Sequence, residues 1–501
     1  MRIPALLLTF ISSISLVTAA PEAFEVGAEQ KAALPGGREA DGIIGDFILR
    51  NDKIEAVVSG NLPLRRANMS TFYGESGITP GCVFDLTLRG ENNDQLTIFG
   101  PAQQQGSVSW VRVTKDGKDG EVIVECVATA PNHDGITRRH EYRLRDSWSG
   151  LMVTTTITNE GAKPHNVLLG DKWTNFVRTG SATFAHGPIM WAESVDPADR
   201  CGYAVGFTED KDGAATKPMR ELAPGASVAF TRFLAVGRSP AEAVGLVAEK
   251  QGDAGKVVSV VKDTGGAPVV GAQLIVRQKN PPAQTPAASA PTAFARAALR
   301  AAGIGYTDAH GRFAFSFPPG KYGVTVTDLG RASVEKEMTV AANGEVKLEA
   351  MMAVASTVQF DIRDEKGATL PCKAQFLALE GIDPVNLGPD QRAHGCRDQY
   401  HSERGQFRVQ LPPGGYRIVV TRGIEYSHLS REVTLKAGES FTFTGTLKHL
   451  VDTRGWVSAD YHNHSTQSGD NICGTDDRVI NLAAEGVEFA PTTEHNRLYD
   501  W

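Results

Sequence analysis

The chain has 501 residues, of which 41% are hydrophobic and 22% charged, and this is enough material for several globular domains. Its net charge of -7 is mild and no lysine or arginine run stands out, which argues against a nucleic-acid or membrane-surface partner. Frequent glycine and proline, with little helical periodicity, predict a mainly β, multidomain protein of short strands and tight turns.

The first 20 residues, MRIPALLLTFISSISLVTAA, have a charged start, an apolar middle and a small-residue end. This order is typical of a secretory signal peptide, so we expect residues 1–20 to be removed and the protein to be periplasmic or secreted. A buried N-terminal helix is the alternative. No later apolar run reaches the roughly 18 residues that cross a bilayer, so we expect no membrane span after cleavage.

Export affects how the cysteines are interpreted, because disulfides persist outside the reducing cytosol. Cys372 and Cys396 fall within one predicted domain, where a disulfide and two free thiols are both compatible with the sequence. Cys82, Cys126 and Cys201 are each compatible with a bridge or with a buried thiol. The chain has no CxxC motif, which disfavours a cysteine-based zinc site.

Residues 21–250 contain alternating apolar and polar runs such as GEVIVECVATA, which predict a large antiparallel β-sandwich. The stretch RRHEYRLRDSWSGLMVTTTITNEGAKP loosely resembles galactose-mutarotase-like sandwiches, whose relatives handle sugars. Four histidines of this region are candidates for lining a cleft: His133, His140, His165 and His186. Scattered surface or core histidines are the simpler interpretation, and we assign them no role.

An internal repeat follows the first domain. GRFAFSFPPGKYGVTVT (311–327) aligns without gaps on GQFRVQLPPGGYRIVVT (405–421) at an offset of 94 residues. Each copy predicts a strand, a Pro-Pro-Gly turn of type II and a second strand. The pattern resembles carboxypeptidase regulatory-like β-sandwich domains, which are similar to Cna-B-type modules. We therefore expect two such sandwiches, at 255–350 and 354–448.

The first copy carries an insert, KNPPAQTPAASAPTAFARAALRAAG, at residues 279–303. Its Pro, Ala and Ser bias predicts an extended loop, although AFARAALRAA is also compatible with a short helix.

The end of the chain contains the stretch GWVSADYHNH. Side chains alternate across a strand, so Asp460, His462 and His464 are predicted to share one face, where two imidazoles can reach one cation. Next, Thr475 is a candidate helix cap and Gly486 a helix terminator, and residues 487–491 predict a second strand.

A strand, a helix and a second strand imply parallel pairing with a right-handed crossover. The carboxyl ends of both strands then lie side by side, which brings Glu494 and His495 next to His462 and His464. Barrel enzymes place their active sites at such ends. Coincidental surface histidines are the alternative.

Residues 455–501, with DYHNHS, SGDN, DRVINLAAEGVE and TTEHN, resemble the start of a PHP (polymerase and histidinol phosphatase) metallohydrolase domain of the CehA/McbA-like branch. The resemblance implies a distorted α/β barrel that holds divalent zinc, manganese or iron ions and hydrolyses phosphoesters, esters or amides. It also implies a metal-ligand set of four residues: His462, His464, Asp470 and His495. Asp460 and Glu494 are the expected supporting carboxylates, and Glu494 stands where the family more usually has Asp.

The family's remaining ligands come from later strands, so we interpret the sequence as a fragment of an exported metal-dependent hydrolase. We expect the fragment itself to be inactive. Its substrate is then a small molecule or a carbohydrate. The alternative is a secreted β-sandwich protein, carbohydrate-binding or structural, whose tail is non-catalytic.

Overall fold

The computed structural model describes residues 20–37, 39–67, 77–129, 133–174, 178–193, 200–214, 217–279, 301–388, 390–465, 468, 471 and 473–495. All but the last residue of the predicted signal peptide, and residues 280–300 of the predicted insert, lie outside these ranges. The described part of the chain is mainly β, with sandwich-like sheets stacked along its length, and this confirms the predicted fold class.

In the described residues, sixteen strands build the first sandwich. They are β1 (Glu22–Glu25), β2 (Phe47–Arg50), β3 (Ile54–Val58), β4 (Val83–Leu88), β5 (Ile98–Gly100), β6 (Trp110–Asp116), β7 (Glu121–Ala128), β8 (Ile136–Arg145), β9 (Gly150–Asn159), β10 (His165–Leu168), β11 (Lys172–Thr174), β12 (Arg178–Phe184), β13 (Gly187–Glu193), β14 (Gly202–Glu209), β15 (Met219–Leu222) and β16 (Ser227–Gly237).

These strands form antiparallel sheets. A six-stranded sheet has the order β1-β2-β3-β4-β5-β11, and an eight-stranded sheet has the order β12-β13-β14-β16-β9-β8-β7-β6. Strands β10 and β15 form a separate pair. Alternate residues of β8 and β9 are buried, so one face of the large sheet covers the core, as the alternating sequence predicts.

Helix α1 (Pro240–Gln251) links the first sandwich to the next unit. Ser239 caps its start by accepting a hydrogen bond from the Glu242 amide, and Gly252, at φ 91°, ends it in the left-handed conformation. The helix buries Val244 and Val247 in a cluster that contains Trp191 of the first sandwich and Phe317 of the following one. The two units therefore share a continuous apolar core.

Fourteen strands of the described chain build two further sandwiches, called module 1 and module 2. Module 1 contains β17 (Gly255–Asp263), β18 (Gln273–Gln278), β19 (Gly303–Tyr306), β20 (Arg312–Phe317), β21 (Gly320–Thr327), β22 (Val334–Val340) and β23 (Glu345–Met352). Module 2 contains β24 (Thr357–Arg363), β25 (Cys372–Ala378), β26 (Gln399–Ser402), β27 (Gln406–Gln410), β28 (Gly414–Thr421), β29 (Leu429–Leu435) and β30 (Ser440–Thr446).

The modules have the same strand order. Sheets β20-β17-β23 and β19-β18-β21-β22 of module 1 correspond to β27-β24-β30 and β26-β25-β28-β29 of module 2. The central strand of each three-stranded sheet pairs antiparallel with one neighbour and parallel with the other. The sequence repeat thus corresponds to a repeat of topology.

The Pro-Pro-Gly turns differ from the predicted type II geometry. Gly320 and Gly414 have φ of 159° and 158°, whereas a type II turn needs about 80° at its glycine. Each glycine instead begins a strand, and the tyrosine two residues later folds back over the turn. Its hydroxyl donates a 2.7 Å hydrogen bond to the first proline carbonyl, from Tyr322 in module 1 and Tyr416 in module 2.

No disulfide joins cysteines of the described chain, so the one considered between Cys372 and Cys396 is absent. Cys372 is buried in the core of module 2, where burial raises the pKa of its thiol to about 12. The Cys396 thiol donates to the Asp390 carbonyl at 3.1 Å. Among the described residues, no helix is long and apolar enough to cross a membrane.

Candidate metal centre

The last described segment, residues 455–495, is called the tail, and it begins and ends with two chain stretches that lie side by side. Ala459 and Phe489 form a parallel bridge, the Asp460 amide donates to the Phe489 carbonyl at 3.0 Å, and the Glu488 amide donates to the Ser458 carbonyl at 2.9 Å. The pairing is shorter than a full strand, but its direction is parallel. The carboxyl ends of both stretches therefore lie at the same edge.

Helix α2 (Thr475–Ala484) connects the two stretches. Asp476 and Asp477 lie in its first turn, where the helix dipole favours negative charge. Thr475 does not cap the helix as predicted, because Gly474 occupies the N-cap position. The Thr475 hydroxyl instead donates a hydrogen bond to Ser465 Oγ at 3.3 Å. Gly486, at φ 78°, follows the end of the helix, as the sequence predicts.

Three imidazoles meet where the paired stretches end. The ring centroids of His462 and His464 are 5.0 Å apart, and those of His464 and His495 are 4.8 Å apart with nearly parallel planes. Two imidazoles that bind one zinc ion at about 2.0 Å have centroids roughly 5 Å apart. The spacing of the rings is therefore compatible with shared metal ligation. His462 and His495 are exposed and His464 is half-buried.

A serine links the central histidine to a buried carboxylate. Ser468 Oγ donates to Glu494 Oε2 at 2.5 Å, accepts from the His495 amide at 2.9 Å, and lies 2.9 Å from His464 Nδ1. Since the hydroxyl has one proton and the carboxylate takes it, Nδ1 of His464 must be the protonated nitrogen. Nε2 of His464 then keeps its lone pair, as a metal ligand requires.

Glu494 also organises the loop that follows the first histidines. It is 9% exposed and accepts hydrogen bonds from the Ser465 amide at 3.1 Å and the Ser465 hydroxyl at 2.6 Å. Arg478 of α2 donates from Nε to the His464 carbonyl at 2.9 Å. Side chains of the helix and of the second stretch thus hold the backbone around His464.

Asp460 and Asn463 fix the first stretch. The Asp460 carboxylate accepts the His462 amide at 2.9 Å, so its observed contact is with backbone rather than with an imidazole. The Asn463 amide donates to Thr493 Oγ1 at 2.9 Å, and its side-chain nitrogen donates to the Pro491 carbonyl at 3.3 Å. These contacts lock the two histidine-bearing ends together.

The tail is attached to module 2 by polar contacts. Lys373 forms an ion pair with Glu485, and His401 Nε2 lies 3.7 Å from the same carboxylate. The His401 side chain, followed by Lys373, lowers the pKa of Glu485 to about 2 despite the opposing effect of burial. The Ala393 amide donates to Asp477 Oδ1 at 2.8 Å, and Arg422 Nη1 donates to the Ala483 carbonyl at 2.9 Å.

The structure brings together His462, His464, His495 and Glu494, whereas Asp470 lies outside the described residues. In the described part of the chain, no group of three or more His, Cys, Asp or Glu side chains has the arrangement of a metal site. The sequence interpretation missed Ser465 and Ser468. Both follow the H-x-H motif closely, and that proximity is the only signal that pointed to them.

Fold and site together describe a multidomain β-sandwich protein with a polar, histidine-bearing tail. No family model matches the chain, and no curated protein matches it. Among solved structures it is similar to the Bacillus anthracis TIE protein, with 12% identity and a TM-score of 0.17 over 70% of this chain and 59% of that protein. The chain therefore spans less than two thirds of the length of this relative.

Two further structures are similar to parts of the chain. The minor pilin GBS52 of Streptococcus agalactiae is 12% identical, with a TM-score of 0.21 over 39% of this chain and 97% of the pilin. The Slr1438 protein of Synechocystis sp. PCC 6803 is 11% identical, with a TM-score of 0.26 over 40% of this chain and 97% of that protein. Similarity at this level establishes no shared function.

Proposed function

We propose that this chain belongs to an exported metal-dependent hydrolase of the PHP type, in which the β-sandwiches support a metal-binding tail. The observation that carries the proposal is the Glu494, Ser468 and His464 chain of hydrogen bonds at the point where three imidazoles meet. A carboxylate that orients a ligating histidine through its second nitrogen is a recurrent feature of protein metal sites.

The potential ligands form part of the shell that a divalent ion such as zinc, manganese or iron requires. His462, His464 and His495 would provide nitrogen ligands, and Asp470 is the further ligand that the family resemblance implies. A bound ion of this kind lowers the pKa of a coordinated water and so supplies a nucleophile for phosphoester, ester or amide hydrolysis. Three histidines, two of them exposed, predict weaker binding than a complete and buried ligand shell would give.

The residues of the chain itself have distinct tasks in this proposal. Glu494 holds the Ser468 hydroxyl, and Ser468 holds His464 in the tautomer with a free Nε2 lone pair. Asp460 and Asn463 fix the backbone of the first stretch, which sets the spacing of His462 and His464. Module 2 supports the tail through the contacts of Glu485 and Asp477. A small-molecule or carbohydrate substrate suits an exported protein of this kind.

A second candidate is a secreted β-sandwich protein, carbohydrate-binding or structural, with a non-catalytic tail. Two observations favour it. The described chain consists mostly of stacked sandwiches, and its described residues contain no group of three or more potential ligands with metal-site geometry.

Metal titration separates the candidates. Protein freed of metal by chelation is titrated with zinc chloride by calorimetry, alongside the double variant H462A/H464A and the control H394A. His394 is a surface histidine of module 2 that bonds Glu403 at 2.8 Å. The hydrolase proposal predicts one binding event in the wild type and in H394A that the double variant loses. Equal zinc binding by all three proteins, or none by any, would favour the second candidate.

A further inference from the structure

Polar side chains interrupt the apolar interior of the first sandwich on strand β8. Tyr142 and Leu144 belong to one hydrophobic cluster, Ile136 belongs to another, and Arg138 and His140 lie between them along the strand. Because alternate residues of a strand share a face, both polar side chains project to the interior side. Of the four histidines noted in this domain, only His140 is buried.

The hydrogen bonds of His140 define its tautomer. Its Nδ1 lies 3.0 Å from Thr155 Oγ1, which also accepts a hydrogen bond from Arg232 Nη1 at 2.9 Å. We assign the Thr155 hydroxyl as the donor to Nδ1, which places the proton of the ring on Nε2. Burial, followed by the charges of Arg232 and Arg138, lowers the pKa of His140 and keeps the ring neutral.

The protonated nitrogen of His140 is therefore a hydrogen-bond donor without an acceptor in the described structure. Nε2 is completely buried and has no hydrogen-bond partner among the residues that the structure describes. Buried donors in folded proteins are nearly always satisfied, so an orphan of this kind needs an explanation.

The two arginines near His140 differ in how their charge is balanced. Arg232 is fully buried and forms a two-point ion pair with Asp171, at 2.9 and 2.6 Å. Arg138 is half-buried, and no ion pair or hydrogen bond joins it to another described residue. Burial lowers its pKa, but a guanidinium stays protonated at neutral pH. Among the residues that the structure describes, Arg138 is thus a cation without an anion.

A strained turn lies at the same end of the sandwich. Ala102 and Gln103 have φ of 48° and 57°, a conformation that residues other than glycine rarely adopt. The Ala102 amide donates to Asp171 Oδ1 at 2.9 Å, and the Gln103 side chain donates to the Gly170 carbonyl at 3.0 Å. Ala102 packs in the same hydrophobic cluster as Ile136. Strain of this kind is concentrated at ligand sites.

We propose that Arg138 and His140 form a binding site for the carboxylate or phosphate group of a small molecule. The planar guanidinium of Arg138 matches either group with two parallel hydrogen bonds, and the Nε2 proton of His140 offers a third donor. The buried apolar cluster that contains Ile136 and Ala102 adjoins Arg138 along strand β8. This site lies in the first sandwich and is independent of the function proposed for the tail.

Calorimetric titration of the full chain in a chloride buffer tests the site with three probes. Sodium glucuronate carries a carboxylate, sodium phosphate is the inorganic anion, and glucose is the neutral control. We expect at least one anion to bind and glucose not to bind. The variant R138Q should weaken anion binding at least tenfold, whereas R139Q should not change it. Arg139 is the matched control, because it lies on the opposite face and pairs with Glu125 at 3.0 Å.

Binding of neither anion by the wild type, or equal binding by R138Q and the wild type, would overturn the proposal. Thermal unfolding without ligand provides an independent readout. An arginine kept for a ligand is destabilising when the ligand is absent, so R138Q should raise Tm by about 2 °C. A lower Tm for R138Q than for R139Q would assign Arg138 a structural role instead.

Discussion

His140 in the first sandwich and His464 in the tail make the same first contact and have opposite tautomers. Each places Nδ1 beside a hydroxyl, Thr155 at 3.0 Å and Ser468 at 2.9 Å. The Thr155 hydroxyl accepts a hydrogen bond from Arg232 and, in the tautomer assigned to His140, donates one to Nδ1. The Ser468 hydroxyl donates its hydrogen bond to Glu494 and therefore accepts one from Nδ1 of His464.

The charge behind the hydroxyl therefore determines what the far side of the ring can bind. A cation behind Thr155 leaves His140 with an N–H at Nε2, which suits an anion. An anion behind Ser468 leaves His464 with a lone pair at Nε2, which suits a cation. In each case the charged group, the hydroxyl and the histidine are joined by two hydrogen bonds in series. The sign of the charge therefore determines whether the histidine presents a donor or an acceptor to a ligand.

The largest expected effect comes from removing the anion that balances Arg232. Asp171→Asn leaves a fully buried guanidinium without its ion-pair partner, and breaking such a pair costs about 3–5 kcal/mol of unfolding free energy. Denaturant unfolding followed by fluorescence measures the loss. The control Glu432→Gln removes an exposed ion pair with Arg417 and should change stability by less than about 1 kcal/mol. Equal stability of the two variants would contradict the contrast between buried and exposed pairs.

An intermediate effect is expected in the tail. Ser468→Ala removes the group that holds the Nδ1 proton of His464, and loss of such a supporting contact typically weakens metal binding by about 10–100-fold. Zinc titration measures this change, and Ser458→Ala, elsewhere in the tail, is the control.

Nitrogen-15 NMR of histidine-labelled protein tests the same contact without metal. The wild type should show the Nδ1–H tautomer at His464 and the Nε2–H tautomer at His140. The same tautomer at both positions would refute the comparison.

The smallest expected effect concerns the attachment of the tail to module 2. The pKa of Glu485 is about 2 in the folded protein and 4.5 in its unperturbed state. Because the folded value is the lower one, its contribution is fully present above pH 4.5 and is lost as the pH falls from 4.5 towards 2. Glu485 is 38% exposed, so solvent screening limits the effect to less than about 1 kcal/mol.

Hydrogen exchange of helix α2 between pH 5 and pH 3 measures this contribution. Protection of the helix should fall in the wild type after the intrinsic pH dependence of exchange is removed, and Glu485→Gln should show low protection at both values. An acid-induced loss of protection that is as large in Glu485→Gln would assign the effect to another group.

Most of the mainly β fold could be predicted from the sequence, because strand alternation and the PPG repeat are local patterns. The type II geometry predicted for the Pro-Pro-Gly turn was wrong, because Gly320 begins a strand in an extended conformation. Tyr322 closes the turn through a hydrogen bond that the sequence does not reveal. Helix α1 was not predicted either. Its apolar residues have no partner until two sandwiches lie on both sides of it.

The candidate site could be predicted in part. The meeting of His462, His464 and His495 follows from the direction of the paired stretches, which the order of elements implies. The roles of Ser468 and Ser465 could not be predicted, since serines are common in loops and only the folded backbone shows which of them contacts Glu494. The cap assigned to Thr475 was wrong for the same reason, because its hydroxyl has a tertiary partner.

The close contact between α1 and module 1 has a counterpart where module 1 meets module 2. Gly245 lies so near β20 that a methyl group there would be 2.0 Å from the Ser316 carbonyl oxygen. The position that corresponds to Ser316 in the second copy is Gln410, whose side chain packs against Gly330 at the junction of the modules. The corresponding strand of each copy therefore contacts the unit that precedes it in the chain. Deletion of either copy would remove one of these two contacts, although the copies share a topology.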